Sequence, residues 1–406
     1  MKKLLAIVLV ALMAVSAFAC TAPAEIPAAT EAPAATEAPA AATEAPAEAP
    51  ASTDPVRIGA ISPNTGNLAA YGEAVTNGIK MAVEEINAKG GVLGGRPLEV
   101  VAYMDDKGDS TEGANAFNKL VSDGVSAIIG SVTSGVTAGL GTLANQEGML
   151  LLTPTATADT VTEGLPTVFR ACFRDSYQGE VAAKVAKDLG VTKVAVLYAA
   201  GDTYSAGLYE AFKAAAPAQG LEIVATESSS GVDDTDYTAQ LTNIIASGAE
   251  LIFAPYYYSS IGPYIVPQAR QLGYQGYFVG ADGWDGTNGT MVEDKTLYNK
   301  GFFTNHYAPD DPSELVQNFV NGYTEKFGAE SLNALAALAY DAVYMLADSI
   351  NRAGSDDTAA IITAMTGMSF DGVTGSFTLD DTNTPAKKCA VIEFKDGVPT
   401  FYKYIG

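Results

Sequence analysis

Histidine and cysteine are almost missing from this 406-residue chain, which holds one of the first, three of the second and a single tryptophan. Zinc sites draw on Cys and His, and hydrolytic triads need a base beside their nucleophile. With His306 alone, and only Cys172 and Cys389 beyond the first twenty residues, there is little material for either, and no metal or cofactor is expected. Basic residues are scarce too. The 23 Lys and Arg stand against 47 Asp and Glu, for a net charge of −24. Phosphate backbones are held by Lys and Arg through counterion release, and no local basic cluster offsets the deficit, which argues against nucleic acid as a partner. Long apolar runs are limited to residues 4–15, too few to span a bilayer.

The first 54 residues carry export and tethering signals. Lys2 and Lys3 precede that apolar run, and Ser16-Ala17-Phe18-Ala19 supplies the small residues of a cleavage site. Cys20 follows directly and resembles the lipidated cysteine of bacterial lipoproteins, although Ala17 and Phe18 depart from the preferred Leu and small residue. Ala17-Phe18-Ala19 also fits an ordinary cleavage site, which would release a soluble periplasmic or secreted protein. Residues 21–54 are Ala, Pro, Thr and Glu, with Thr-Glu-Ala-Pro recurring at 30, 36 and 43 and six acids without a base. Such a stretch has too little apolar surface to fold. At ~3.1 Å per residue it would reach on the order of 100 Å as a stiff chain, a suitable tether between a lipid on Cys20 and a domain. Residues 55–406 hold 21 bases and 41 acids, still −20.

From residue 56 the pattern alternates. Short apolar runs at 56–61, 98–104, 127–132, 149–152, 194–198, 222–225, 251–254, 277–279 and 301–304 are mostly followed by 10 to 15 residues of helical periodicity. In the first such helix, over 73–87, Val75, Ile79, Ala82 and Ile86 share a face. This alternation predicts an α/β fold with parallel sheets covered on both faces. Its length suits two doubly wound lobes, with a closed (β/α)₈ barrel as the competitor. Against the barrel, 373–379 reads as a strand passing between lobes, and 390–404, with Lys395-Asp396-Gly397 as its turn, as an antiparallel finish.

Ligands of open parallel sheets lie beyond the carboxyl ends of the strands, where five loops draw attention. Thr133-Ser134-Gly135-Val136-Thr137 and Thr153-Pro154-Thr155-Ala156-Thr157 offer hydroxyls and, for the first, a helix N-terminus able to take a carboxylate. Ala200-Gly201-Asp202-Thr203-Tyr204, Pro255-Tyr256-Tyr257-Tyr258-Ser259 and Gly280-Ala281-Asp282-Gly283-Trp284-Asp285 offer aromatic walls and an acid. Each alone has an ordinary explanation in helix capping or a turn. Together they could cradle a small zwitterion, with its ammonium on Asp282.

These segments resemble, in order, the substrate-binding proteins of ABC importers for branched-chain amino acids, of the type I periplasmic binding fold. Val56-Arg57-Ile58-Gly59 to Thr65-Gly66, Asn77-Gly78-Ile79-Lys80 to Lys89-Gly90-Gly91, Phe169-Arg170 with Gln178-Gly179, Gln268-Ala269-Arg270-Gln271-Leu272-Gly273, Gly280-Ala281-Asp282-Gly283 and Ala339-Tyr340-Asp341-Ala342 carry the likeness over about 55–406. It implies two lobes, 55–172 with 305–376 and 173–304 with 377–406, joined by crossings near 171–175, 303–307 and 375–380. It further implies that Ser134, the Gly135 amide and Thr157 take the ligand carboxylate and the Ala156 carbonyl the ammonium. Tyr71, Tyr204, one of Tyr257 and Tyr258, and Asp282 complete the pocket. Some members carry Glu where Asp282 stands, and the tyrosine loop is about one residue longer than usual, which leaves open which tyrosine faces the ligand. Trp284 reads equally as pocket wall or packing. Cys172 and Cys389 read as two separately buried thiols rather than a bridge, and His306 is assigned no role.

The expectation is thus a non-enzymatic receptor, a monomer lipid-anchored through Cys20 on the outer face of the cytoplasmic membrane, that presents a branched-chain or other small aliphatic amino acid to permease subunits. Alternatives are the same fold binding an amide, urea or an aromatic acid, and a sensory module for a membrane partner.

Overall fold

A computed structural model describes residues 52–288 and 291–406; the expected export signal, Cys20 and all but the last residues of the expected tether lie outside them. The first half is built on a five-stranded sheet, order β2-β1-β3-β4-β5, from β1 (Val56–Ser62), β2 (Leu98–Asp105), β3 (Ala127–Ile129), β4 (Leu150–Thr153) and β5 (Val168–Arg170). Every pairing in it is parallel. Strands β3, β4 and β5 are buried at every position, as continuous apolar runs between helices must be. Helix α1 (Ala69–Ala88) starts four residues earlier than its periodicity suggests and buries Val75, Ile79, Ala82 and Ile86. Helix α2 (Ser110–Ser122) is capped by Asp109, whose carboxylate accepts from the Thr111 and Glu112 amides. Helix α3 (Ser134–Glu147) follows β3. Strand β3 stops at Ile129 rather than 132 because the chain turns at Gly130, where φ is +134° and a Cβ would lie 2.2 Å from the Ile61 carbonyl oxygen.

The second half holds α4 (Asp175–Asp188), β6 (Lys193–Ala199), α5 (Thr203–Ala215), β7 (Glu222–Ser229), α6 (Thr238–Ala246), β8 (Leu251–Phe253), the short α7 (Tyr258–Ser260) and α8 (Val266–Gln271), β9 (Tyr277–Gly280) and β10 (Gly301–Asn305). Between α7 and α8 the chain makes a wide π turn at Ile261–Ile265, the form in which a helix absorbs one extra residue. Helices α9 (Glu314–Phe327), α10 (Ala334–Ala353) and α11 (Thr358–Met365) return to the first half, with α10 packed along α1. A hairpin of β11 (Ser369–Gly372) and β12 (Gly375–Thr378) precedes β13 (Cys389–Lys395) and β14 (Val398–Ile405). The second sheet runs β14-β13-β10-β9-β8-β6-β7, parallel except at its β10-β13 and β13-β14 pairings. The antiparallel finish is as the Lys395-Asp396-Gly397 turn predicts.

These are two doubly wound α/β lobes that the chain joins three times: through 171–174 between β5 and α4, through 306–313 between β10 and α9, and after β12. The third passage corrects the expectation for 373–380. Val373 and Thr374 are the two-residue loop of the β11–β12 hairpin, and both their amides donate to the buried Asp341 carboxylate, at 2.9 and 2.8 Å. The crossing itself comes later, over 379–388, where Lys387 donates to the Ala171 carbonyl at 2.8 Å and the Thr374 hydroxyl at 2.7 Å. Trp284 is a packing residue: its indole N–H donates to the Ala254 carbonyl at 2.7 Å and its ring lies among Phe278, Phe303 and Phe394. Cys172 and Cys389 are both buried free thiols.

Candidate ligand-binding site

The carboxyl ends of β3, β4, β6, β8 and β9 converge between the lobes on a narrow cavity with ≈ 20 Å³ of water-accessible space, lined by Tyr71, Val132, Thr133, Ser134, Thr155, Tyr204, Tyr257, Asp282, Gly283 and Leu335. That is room for about one water. The lobes are shut over it. Tyr71 of α1 donates to the Gly283 carbonyl on the far side, Tyr258 donates to the Asn67 carbonyl at 2.9 Å, and Asn67 to Asp233 at 2.9 Å.

On the first lobe, β3 delivers the chain into α3 with Thr133 as its N-cap, so the first-turn amides of Ser134 and Gly135 are free of intrahelical bonds. Ser134 lines the cavity and its hydroxyl accepts from the Ala158 amide at 3.1 Å, tying the two hydroxyl loops together. Gly135 sits just beside the cavity, facing Thr203 of the other lobe. The Thr157 hydroxyl is buried without a hydrogen-bond partner among the described residues and stands near Asp175. Ala156 is a correction. Its carbonyl, expected to meet an ammonium, already accepts from Arg170 Nη1 at 3.1 Å and from the Cys172 thiol at 3.3 Å. Thr155, one residue earlier, lines the cavity instead. The fully buried Arg170 also donates to the Thr157 and Ala158 carbonyls, at 2.8 and 3.0 Å; one guanidinium therefore shapes the whole loop.

On the second lobe Tyr204 and Tyr257 stack with centroids 5.1 Å apart, and Tyr71 meets Tyr257 edge-on at 6.1 Å. Tyr258 does not line the cavity; its hydroxyl closes the lip. Asp282 does, and it is 4% exposed. One carboxylate oxygen accepts from the Tyr204 hydroxyl and from Gln178 Nε2, both at 2.9 Å. The other lies 3.0 Å from His306 Nε2, the one basic group in ion-pair range of it among the described residues. Burial lowers the proton affinity of that imidazole. Burial, and then the charge of Asp282, push the nearby Asp175 carboxyl well above the usual carboxylate range. Asp282 is thus a buried carboxyl group held by Tyr204, Gln178 and the His306 imidazole. Of about four lone-pair sites on a carboxylate, three are taken.

Sequence reasoning passed over Gln178, quoted only as a family segment, and His306. Neither signals its role locally, since 104 and 24 residues separate them from Asp282.

The sequence profile described as periplasmic binding protein matches residues 55–398. A Brucella melitensis protein described as Leu/Ile/Val-binding protein homolog 3 is 34% identical over 336 residues, covering 80% of this chain and 88% of its own. Among solved structures, the leucine binding protein LivK of Thermotoga maritima is 34% identical with a TM-score of 0.79, covering 86% of this chain and 98% of its own. LivJ of Streptococcus pneumoniae, a branched-chain amino acid transporter substrate binding protein solved with isoleucine, is 30% identical with a TM-score of 0.78, covering 86% and 99%. Profile, relatives and the two doubly wound lobes agree that the chain belongs to the periplasmic binding protein family, extracytoplasmic proteins that capture a substrate without transforming it.

Proposed function

We propose that the protein is the extracytoplasmic receptor of an ABC importer and that its cavity takes a branched-chain or other small aliphatic amino acid. The observation that carries this is the buried Asp282 carboxyl, which lines the same cavity as Ser134 at the N-terminus of α3. An ammonium would pair with the first and a carboxylate with the second. Ser134, Gly135 and Thr157 supply the carboxylate side, the Thr155 carbonyl replaces that of Ala156 beside the ammonium, and Tyr71, Tyr257, Val132 and Leu335 surround an apolar side chain. Ligand contacts both lobes and stabilises the closed form by its differential affinity for it, the form that a permease would recognise. Export and a lipid anchor on Cys20 complete the reading from the sequence.

Calorimetry with leucine, leucinamide and 4-methylpentanoate is the test, the last two lacking the carboxylate and the ammonium respectively. Asp282→Asn keeps the shape and removes the charge. It should weaken leucine binding by about 2–5 kcal/mol, the cost of unpairing a buried charged contact, while the unliganded protein stays folded. Unchanged affinity, or leucinamide and 4-methylpentanoate binding as well as leucine, would refute the zwitterion site.

A further inference from the structure

His306 is the single histidine of the chain, and its position joins the hinge to the ligand site. It begins the second crossing, directly after β10, and its ring stacks on Phe173 of the first crossing with centroids 3.9 Å apart. It is 1% exposed. Nε2 faces an Asp282 carboxyl oxygen at 3.0 Å; against an ionised carboxylate, which only accepts, Nε2 is the donor. Nδ1 is buried with no hydrogen-bond partner among the described residues. An imidazolium would place a second N–H there, for which no protein acceptor stands in range among the described residues.

The surroundings act in the same direction. Lys387, buried at the third crossing, opposes a positive charge on the ring, and burial opposes it more strongly; of the groups facing it, only Asp282 favours that charge. Asp285 is engaged by the neighbouring Asn305 side chain at 2.8 Å and by the Ala334 amide at the start of α10 at 2.8 Å. Asp175 faces Asp282 from α4.

We infer that His306 is a specificity-determining positioning residue: as a neutral imidazole it orients the Asp282 carboxylate without neutralising it, so that the site demands a cation from its ligand and loses that demand when the ring is protonated. This rests on the amino-acid reading of the same cavity and adds what enforces it. A protonated His306 would complete an ion pair with Asp282, and an incoming ammonium would meet a neutral pair. A carboxylate ligand without an ammonium is refused by the same logic, because it would leave Asp282 buried and unpaired.

Linkage makes the inference measurable on the intact protein. If protonation of His306 weakens leucine binding tenfold, saturating leucine must lower the titration midpoint of the ring by one pH unit. The single histidine gives one unambiguous set of imidazole NMR signals, so the midpoint can be followed in the full chain with no ligand, with leucine and with 4-methylpentanoate. Leucine should lower it by about a unit or more, and 4-methylpentanoate should not. An unchanged midpoint with leucine overturns the inference. His306→Gln retains a neutral donor that cannot titrate. Whatever its affinity at pH 7.5, it should lose the acid limb through which wild-type affinity falls; a variant keeping the same acid limb assigns the titration to another group and also overturns the inference. Failure of the underlying amino-acid reading has a different signature, no leucine binding by the wild type at pH 7.5, and sinks both.

Discussion

Removing the Tyr258 hydroxyl should weaken every ligand by the same factor. Tyr258 sits at the start of α7 on the second lobe, outside the cavity lining, with its ring edge-on to Tyr71 at 4.7 Å. Its hydroxyl donates to the Asn67 carbonyl at 2.9 Å and accepts from the Ala70 amide at 3.3 Å, both on the first lobe. Tyr258→Phe keeps the ring and deletes both bonds. Asn67 and Ala70 are exposed, so water takes over their groups and no buried polar atom is stranded. The loss is then the net worth of two hydrogen bonds, one of them long, or about 1–2 kcal/mol. It is confined to the closed state and so multiplies every dissociation constant by roughly 5 to 30, mostly through faster release. Calorimetry with leucine, isoleucine, valine and alanine, and stopped-flow release rates, measure this directly. A selective loss for one ligand would mean that the hydroxyl touches the ligand, and no loss would mean that the lip bond contributes nothing to closure. Either result would refute the reasoning.

Arg170→Met should lower stability by at least about 3 kcal/mol, because several buried carbonyls lose a charged donor at once, and Arg170→Lys should not rescue it, since one ammonium cannot reproduce the fork; thermal unfolding of both variants decides. Lys387 has its pKa pushed down to about 8 by burial. Between that value and an unfolded pKa of about 10.4 the unfolded chain binds more protons, so stability rises with pH across that window, by at most ~1.4 kcal/mol per unit. Below it the ammonium is charged in both states and the penalty is constant. In denaturant titrations the wild type should gain on Lys387→Met from pH 8 to 10 and hold a fixed gap from pH 6 to 7; a flat difference throughout would exclude a depressed lysine.

How much of this was legible in the sequence follows from the range of the interactions. Strands such as 127–129 and 150–153 announce themselves because a strand buried on both faces needs an uninterrupted apolar run. The α1 face is legible from its 4, 3, 4 spacing. The five loops could be singled out because parallel sheets present their ligands at strand carboxyl ends, and Tyr71, Ser134, Tyr204, Tyr257 and Asp282 do meet there. The third crossing was misplaced because a buried Asp341, more than thirty residues away, claims the amides of Val373 and Thr374 and makes a hairpin where the local pattern suggests a through-strand.

The scarcity of histidine shows the same division. Residue types and local periodicity set the net charge, the shortage of metal-ligating side chains and the alternation of strands and helices, because these are properties of the sequence itself. It cannot tell which carbonyl Arg170 has already taken, which of two adjacent tyrosines closes the lip, or that the one histidine lies 3.0 Å from the one buried carboxylate lining the cavity. Those outcomes depend on which polar atoms remain unengaged after distant segments have packed, and only the tertiary structure decides that.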